Sequence, residues 1–146
     1  MTDDETHGSS CYRWSVFGKP IPKGRPRMTR AGRSYTPPKT KRAERHIRTV
    51  SALHAPSRPL EGRLSVELEF VFEAAKSWTK KKRAAANSGA LPHTIRPDLD
   101  NLIKLALDSL NGLVWQDDTQ VAEIKASKHY GPQALTRFRV STQGET

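Results

Sequence analysis

Residues 63–74 read RLSVELEFVFEA, and this stretch constrains the fold more than any other. Leu64, Val66, Leu68, Phe70 and Phe72 alternate with Ser65, Glu67, Glu69, Val71 and Glu73. Side chains repeating with a period of two belong to a strand with one buried face and one mostly polar face. A second pattern has a different period. Leu99, Leu102, Ile103, Ala106, Leu107, Leu110, Leu113 and Val114 step by three and four residues, the continuous apolar stripe of an amphipathic helix. At 146 residues the chain is one domain with one core, a compact α/β or α+β unit.

The remaining segments fill in that frame. Residues 1–10 form a polar, acidic tail expected to be disordered, the folded domain spans 11–142, and 143–146 are a C-terminal tail. CYRWSVFGKPIP opens with a strand in which Tyr12, Trp14 and Val16 alternate with Arg13 and Ser15, ended by Gly18 and Pro20. The following Pro- and Gly-punctuated segment is extended or looped, and Pro37-Pro38 suit a helix entry with Ala43, Ile47 and Val50 on one face. Thr79 suits the cap of a short helix over Lys80–Ala86. In QVAEIKASKHY, Ala122, Ile124 and Ala126 are expected to point inward, and LTRFRVS supplies a last strand through Phe138 and Val140. No internal repeat is visible.

Charge narrows the function. The chain has 25 Lys and Arg against 15 Asp and Glu, and three of those acids (Asp3, Asp4, Glu5) sit in the tail. Such an excess implies a polyanionic partner, nucleic acid before an acidic membrane surface. No apolar run approaches 18 residues, so no membrane span is expected. The opening residues lack the basic and apolar regions of a secretory signal. Cys11 is the only cysteine, which excludes an internal disulfide and a multi-cysteine zinc site and fits a reducing cytoplasm. His7, His46, His54, His93 and His129 are scattered without ligand spacing and read as surface or core residues.

Against this basic background the aspartates are concentrated. Outside the first five residues, all of them (Asp98, Asp100, Asp108, Asp117, Asp118) fall within RPDLDNLIKLALDSLNGLVWQDDTQV. Leu99 belongs to the buried stripe, so its neighbours Asp98 and Asp100 turn outward at the helix entrance. Lys104 lies one turn beyond Asp100 and one before Asp108. Asp117 and Asp118 follow the helix, and they return to the Asp98/Asp100 corner if the next strand packs beside the helix start. Carboxylates gathered there repel unless a divalent cation lies among them, and oxygen ligands without His or Cys select Mg²⁺, with Mn²⁺ as a substitute. Lys104 would then stabilise developing charge on a phosphate or orient the attacking water. The plainer alternative makes the same residues helix caps, a turn and surface ion pairs, with Asn111-Gly112 ending the helix.

Two basic segments bear on the partner. From Lys19 to Arg48 there are eleven basic residues and one acid, Glu44, and the loop carries Lys23, Arg25, Arg27, Arg30 and Arg33. KSWTKKKR sets Lys76, Lys80, Lys81, Lys82 and Arg83 beside Trp78, and Arg96 precedes the aspartates. These are candidate DNA contacts, giving affinity without sequence discrimination. Trp78 is either a stacking platform for an unpaired base or a packed residue.

DLDNLIKLALDSLNGLVWQDDTQV closely resembles the signature of the RusA family of Holliday-junction resolvases, and GKPIPKGRPRMTRAGRSYTPPKT and KSWTKKKRAAA resemble phage and prophage members. The resemblance covers roughly residues 14–130. It implies a small mixed β-sheet flanked by α-helices, in agreement with the elements above, and a homodimeric, Mg²⁺-dependent endonuclease that makes paired nicks in four-way DNA junctions. The family's catalytic and metal-binding aspartates fall on Asp98, Asp100 and Asp118, its lysine on Lys104, and Asp117 takes the adjacent, secondary acidic position. Two other readings stay open: a non-catalytic basic nucleic-acid-binding module, and a flap or single-strand nuclease using the same metal site.

Overall fold

The computed structural model describes residues 9–143, so residues 1–8 of the expected N-terminal tail and 144–146 of the C-terminal one lie outside the described residues. Strand β1 (Cys11–Phe17) leads into a loop with two short strands, β2 (Arg27–Met28) and β3 (Ser34–Tyr35), and then helix α1 (Pro38–Ser51). Strand β4 (Leu64–Phe72), helix α2 (Lys80–Ser88) and helix α3 (Leu99–Leu110) follow. A 3₁₀ turn (Asp118–Gln120) then enters β5 (Val121–Tyr130), and β6 (Leu135–Thr142) closes the fold.

The sheet is mixed, in the order β1-β6-β4-β5. β6 lies antiparallel to both β1 and β4, whereas β4 and β5 run parallel, with Val66 opposite Ile124 and Phe70 opposite Lys128. The fold is thus an α+β unit, a small mixed sheet with helices, as the periodicities and the resemblance imply. Among the described residues no helix is long and apolar enough to cross a membrane.

The core lies between one sheet face and the helices. Val66, Leu68 and Phe70 of β4 join Trp14 and Val16 of β1, Phe138 and Val140 of β6, and Leu102, Leu105 and Leu110 of α3, all buried. Trp14 stacks on Phe138 at 5.1 Å between ring centroids, and its indole N–H donates to Ser51 Oγ at 2.8 Å, which accounts for a fully buried serine in α1. The buried stripe of α3 is rotated from the expected one. Leu102, Leu105, Ala106, Ser109 and Leu110 face the core, while Ile103 and Leu107 lie half-buried on its flank. The buried Ser109 hydroxyl donates back to the Leu105 carbonyl at 2.6 Å, so the helix's own backbone satisfies it.

Among the described residues no helix lies over the opposite sheet face. It carries charges paired across strands, Arg137 with Glu69 at 2.7 Å and Arg139 with Glu67 at 3.1 Å. The expectation that Ala122, Ile124 and Ala126 point inward needs correction. Ile124 and Ala126 do share the face of Val66 and Leu68, whereas Ala122 is skipped where the register shifts between Leu64 and Ser65. Yet β5 is the edge strand, beyond the reach of the helical cover, so Ala122 is exposed and Ile124 remains 40% exposed.

Near the C-terminal ends of β4 and β5, His93 is buried between Phe72 and Tyr130, with ring centroids at 4.5 and 4.7 Å. Its Nδ1 is buried without a hydrogen-bond partner, and burial, then the Lys128 charge, hold its pKa below the ordinary histidine value. The unfolded chain therefore takes up a proton near pH 6.5 that the folded chain resists, and stability falls as pH drops below that value. His93→Phe is expected to remove this component. Urea midpoints should fall less between pH 7 and pH 5 in the variant than in the parent, and parallel profiles would show that His93 does not report the burial described.

Candidate active site and nucleic-acid surface

Helix α3 sets the geometry of every aspartate identified in the sequence. Asp98 occupies the N-cap position, but its side chain makes no capping hydrogen bond. Asp100, in the first turn, accepts only from the adjacent Asn101 N–H at 2.9 Å among the hydrogen bonds of the described residues. Both are exposed, as the inward Leu99 requires, and both lie where the positive end of the helix dipole favours negative charge. Arg96, also exposed, stands two residues before Asp98.

Asp118 is at the other end. Its carboxyl lies within hydrogen-bond reach of Asp108 and of the Asn111 amide. Partial withdrawal from water, then the charges of Asp117 and Asp108, hold its pKa above the ordinary carboxylate value, against a smaller opposing effect from Asn111. Ten residues of helix separate Asp98 from Asp108, about 15 Å at the α-helical rise. The expected return of Asp117 or Asp118 to the Asp98/Asp100 corner therefore does not occur within one chain. The reason is topological: β5 begins at the end of α3, not beside its start. Among the described residues, no three His, Cys, Asp or Glu side chains come together to hold a metal ion. A magnesium site built on Asp98, Asp100 and Asp118 does not fit a single chain.

The adjacent aspartates of DDTQ serve different ends. Asp117 caps the 3₁₀ turn, accepting from the Thr119 N–H at 3.1 Å, and that bond holds its carboxyl below the usual range. Gln120 returns the capping box through Oε1, which accepts from the Asp117 N–H at 3.2 Å, while its amide nitrogen donates to the Leu60 and Gly62 carbonyls. With Asp117 and Gln120 fixing the turn, Asp118 faces the helix end. Asn111 holds it there. Its Oδ1 accepts from the fully buried Trp115 indole at 2.7 Å, and its amide acts on Asp118 in favour of the charged carboxylate.

Lysines flank this end as well. Lys104 reaches forward to Asp108 at 3.7 Å, and no ion pair with Asp100 forms. Lys23 contacts Glu44 at 2.6 Å and Asp108 at 3.1 Å. Desolvation works against its charge, but the two carboxylates outweigh it and raise its pKa. The backbone pins the same loop, with Lys23 N–H donating to the Asn101 carbonyl at 2.9 Å and Gly24 N–H to Thr40 Oγ1 at 3.1 Å. Gly24 is required there, since a Cβ would lie 2.6 Å from that hydroxyl.

The other basic residues remain open to solvent. Arg25, Arg27, Arg30 and Arg33 are exposed on and around the β2–β3 hairpin, whose turn Gly32 makes at φ +83°. Lys76, Lys80, Lys81, Lys82 and Arg83 are exposed at the start of α2, where Thr79 caps as expected by accepting from the Lys82 N–H. Trp78 is packed: it meets Tyr130 edge-on at 5.4 Å and carries the Lys82 ammonium 4.1 Å above its ring. The α2 lysines, Arg96 and Asp98/Asp100 thus gather around the C-terminal ends of β4 and β5.

Three residues gave no sequence signal for the places they hold. Arg48 donates to the Ser109 and Asn111 carbonyls at 3.0 and 2.7 Å, closing the end of α3. Asn111 reads only as a helix stop, whereas it pairs with Trp115 across the turn that follows α3. Lys128 donates to the Ile95 and Pro97 carbonyls and so anchors the segment that delivers Asp98.

The family model described as Endodeoxyribonuclease RusA matches residues 18–141. The chain is also 35% identical over 125 residues to the uncharacterized protein YqaN of Bacillus subtilis (strain 168), covering 82% of this chain and 88% of that protein.

Lys128 offers a direct test of how the Asp98 end is positioned. Lys128→Met is expected to leave the fold intact while freeing residues 94–100. Amide exchange there should quicken by the equivalent of about 1 kcal/mol, two charge-assisted hydrogen bonds after solvent screening. Unchanged exchange would mean that the entrance to α3 is held by its own turn.

Proposed function

The chain belongs to the RusA family of endodeoxyribonucleases, and we propose that it is a structure-selective endonuclease that resolves four-way DNA junctions by paired nicks, acting as a homodimer in the cytoplasm. The observation that carries this reading is the family match across nearly all of the described fold, including the whole of α3 and the turn that follows it.

The substrate reading draws support from charge. Exposed lysines and arginines of α2 and the β2–β3 hairpin offer phosphate contacts, which give affinity for DNA irrespective of sequence. Asp98 and Asp100 face outward at the start of α3 with no partner among the described residues beyond one adjacent amide, so both carboxylates are open to an external ligand. Lys104 is 64% exposed and able to swing toward either acid.

The dimer follows from two considerations. Symmetric incision of a two-fold junction requires two equivalent sites related by a two-fold axis. Asp98/Asp100 and Asp118 are separated within one chain, so they become joint ligands for Mg²⁺, or for Mn²⁺ in its place, only where the two ends of α3 from different copies meet.

The test is a comparison of an immobile four-way junction, a flap and a linear duplex, each with Mg²⁺ or EDTA, on a denaturing gel. Paired symmetric nicks in the junction alone, dependent on metal, are expected. Asp100→Asn is expected to lose cleavage by at least about a hundredfold while retaining junction binding, since it removes one negative charge facing the phosphates. Cleavage of flaps in preference would replace the substrate class. Binding without scission in all conditions would make this a basic binding module.

A further inference from the structure

β5 carries an unused edge. It is ten residues long and pairs with β4 on one side only, and among the described residues no backbone hydrogen bond from any loop reaches its other side. Long edges of this kind template pairing with another chain unless they are blocked; β5 contains no proline, and its one register shift lies at its start, at Ala122, leaving Glu123–Tyr130 regularly paired with β4. The sheet's other edge differs. On β1, Trp14 and Val16 are 6% and 3% exposed beneath α1, whereas Ile124 in the middle of β5 is 40% exposed although it points to the core face. Ile95, whose carbonyl the Lys128 ammonium holds, is 58% exposed. The apolar alternation of β5 is that of a covered strand, yet among the described residues its middle, at Ile124, stays open.

We propose that a second copy of this chain supplies the cover, the two β5 strands pairing antiparallel with the two-fold axis at Ile124. This rests on the dimer reading above and names the surface that makes the dimer. A two-fold axis normal to a sheet sets one residue opposite its own copy, so each register is defined by its central residue. An axis at Glu123 or at Lys125 sets like charges face to face. An axis at Ala126 sets Ile124 opposite Lys128, whose ammonium already holds two carbonyls. An axis at Ile124 pairs the isoleucines with each other on the helix side, and the register shift at Ala122 falls outside the three central pairs. On the open face it pairs Glu123 with Lys125 twice. Lys125 has no ion-pair partner among the described residues, so its charge is available for that contact. The result is one continuous sheet of eight strands, four from each copy. Because the paired strands run in opposite directions, the Asp118 end of one copy arrives beside the Lys128 end of the other. That is the end where Lys128 holds Pro97 and presents Asp98.

The experiment begins from Cys11→Ser, which removes the native thiol, and adds Ile124→Cys. Mild oxidation is expected to give a disulfide-linked dimer on a non-reducing gel, whereas Lys125→Cys, which faces Glu123 of the second copy, gives little. Sedimentation of Lys125→Glu in the otherwise unaltered chain should show the dimer Kd raised roughly tenfold or more, as two favourable cross-strand pairs become repulsive. Adding Glu123→Lys should restore it by reversing both partners. A dimer by sedimentation that neither cross-links at Ile124 nor responds to Lys125→Glu would place the interface elsewhere and leave the dimer reading standing. A monomer at every concentration, with and without junction DNA, would remove both.

Discussion

The parallel pairing of β4 with β5 governs the rest of the molecule. Parallel neighbours cannot be joined by a tight turn, so the chain leaving β4 must travel back along the sheet before β5 can begin. α2, the His93 loop, α3 and the 3₁₀ turn make that journey, and α3 runs opposite to the strands it covers. One topological requirement thus fixes the site. It puts the start of α3, with Asp98 and Asp100, at the C-terminal ends of the strands, near α2 and Lys128. It puts Asp108 and Asp118 at the opposite end.

The elements themselves were legible because their signals are local. β1, β4 and β6 were marked by alternation, α1 by its paired prolines, α2 by Thr79 and α3 by its stripe, and each formed close to where it was read. What failed to show was non-local. Alternation tells which way Ile124 points but not whether β5 lies at the centre or edge of the sheet. The order of strands decides that, and strand order depends on pairings between residues far apart in sequence. The corner imagined for the aspartates failed for the same reason. Asp118 follows the helix end by eight residues, but Val114 and Trp115 are buried in the core and Asp117 caps a 3₁₀ turn there, so the chain enters β5 without running back toward Asp98.

At the level of single side chains, the acids of the motif are not equivalent. Asp117 is occupied by its own turn, and the bond that caps the turn is what lowers its pKa. Asp118, next to it, is held by Asn111 and pressed toward Asp108, with its pKa moved the other way. Composition and spacing treat DD as a unit, whereas alternating side-chain direction gives the first residue to local structure and the second to the helix end. Lys23 is similarly divided from its neighbours. It belongs by sequence to the arginine-rich loop, yet Glu44 and Asp108 hold its ammonium against α1 and α3. The exposed arginines nearby have no such anchor, which leaves them free to meet phosphates while Lys23 fixes the loop that carries them.

A division of labour between the two sheet faces follows. The helix-covered face supplies the core, with Trp14 on Phe138 and the β4 side chains on α3. The open face carries paired charges, Arg137 with Glu69 and Arg139 with Glu67, and its water-exposed ion pairs add little net stability. They do keep that face unattractive to apolar surfaces, so the free energy available for association concentrates where apolar side chains and unpaired backbone coincide. On this chain they coincide along β5, at Ile124. The edge that looks like a defect in one copy is therefore the place where the sheet is least complete, and it lies between the two ends of α3 that hold the acids apart.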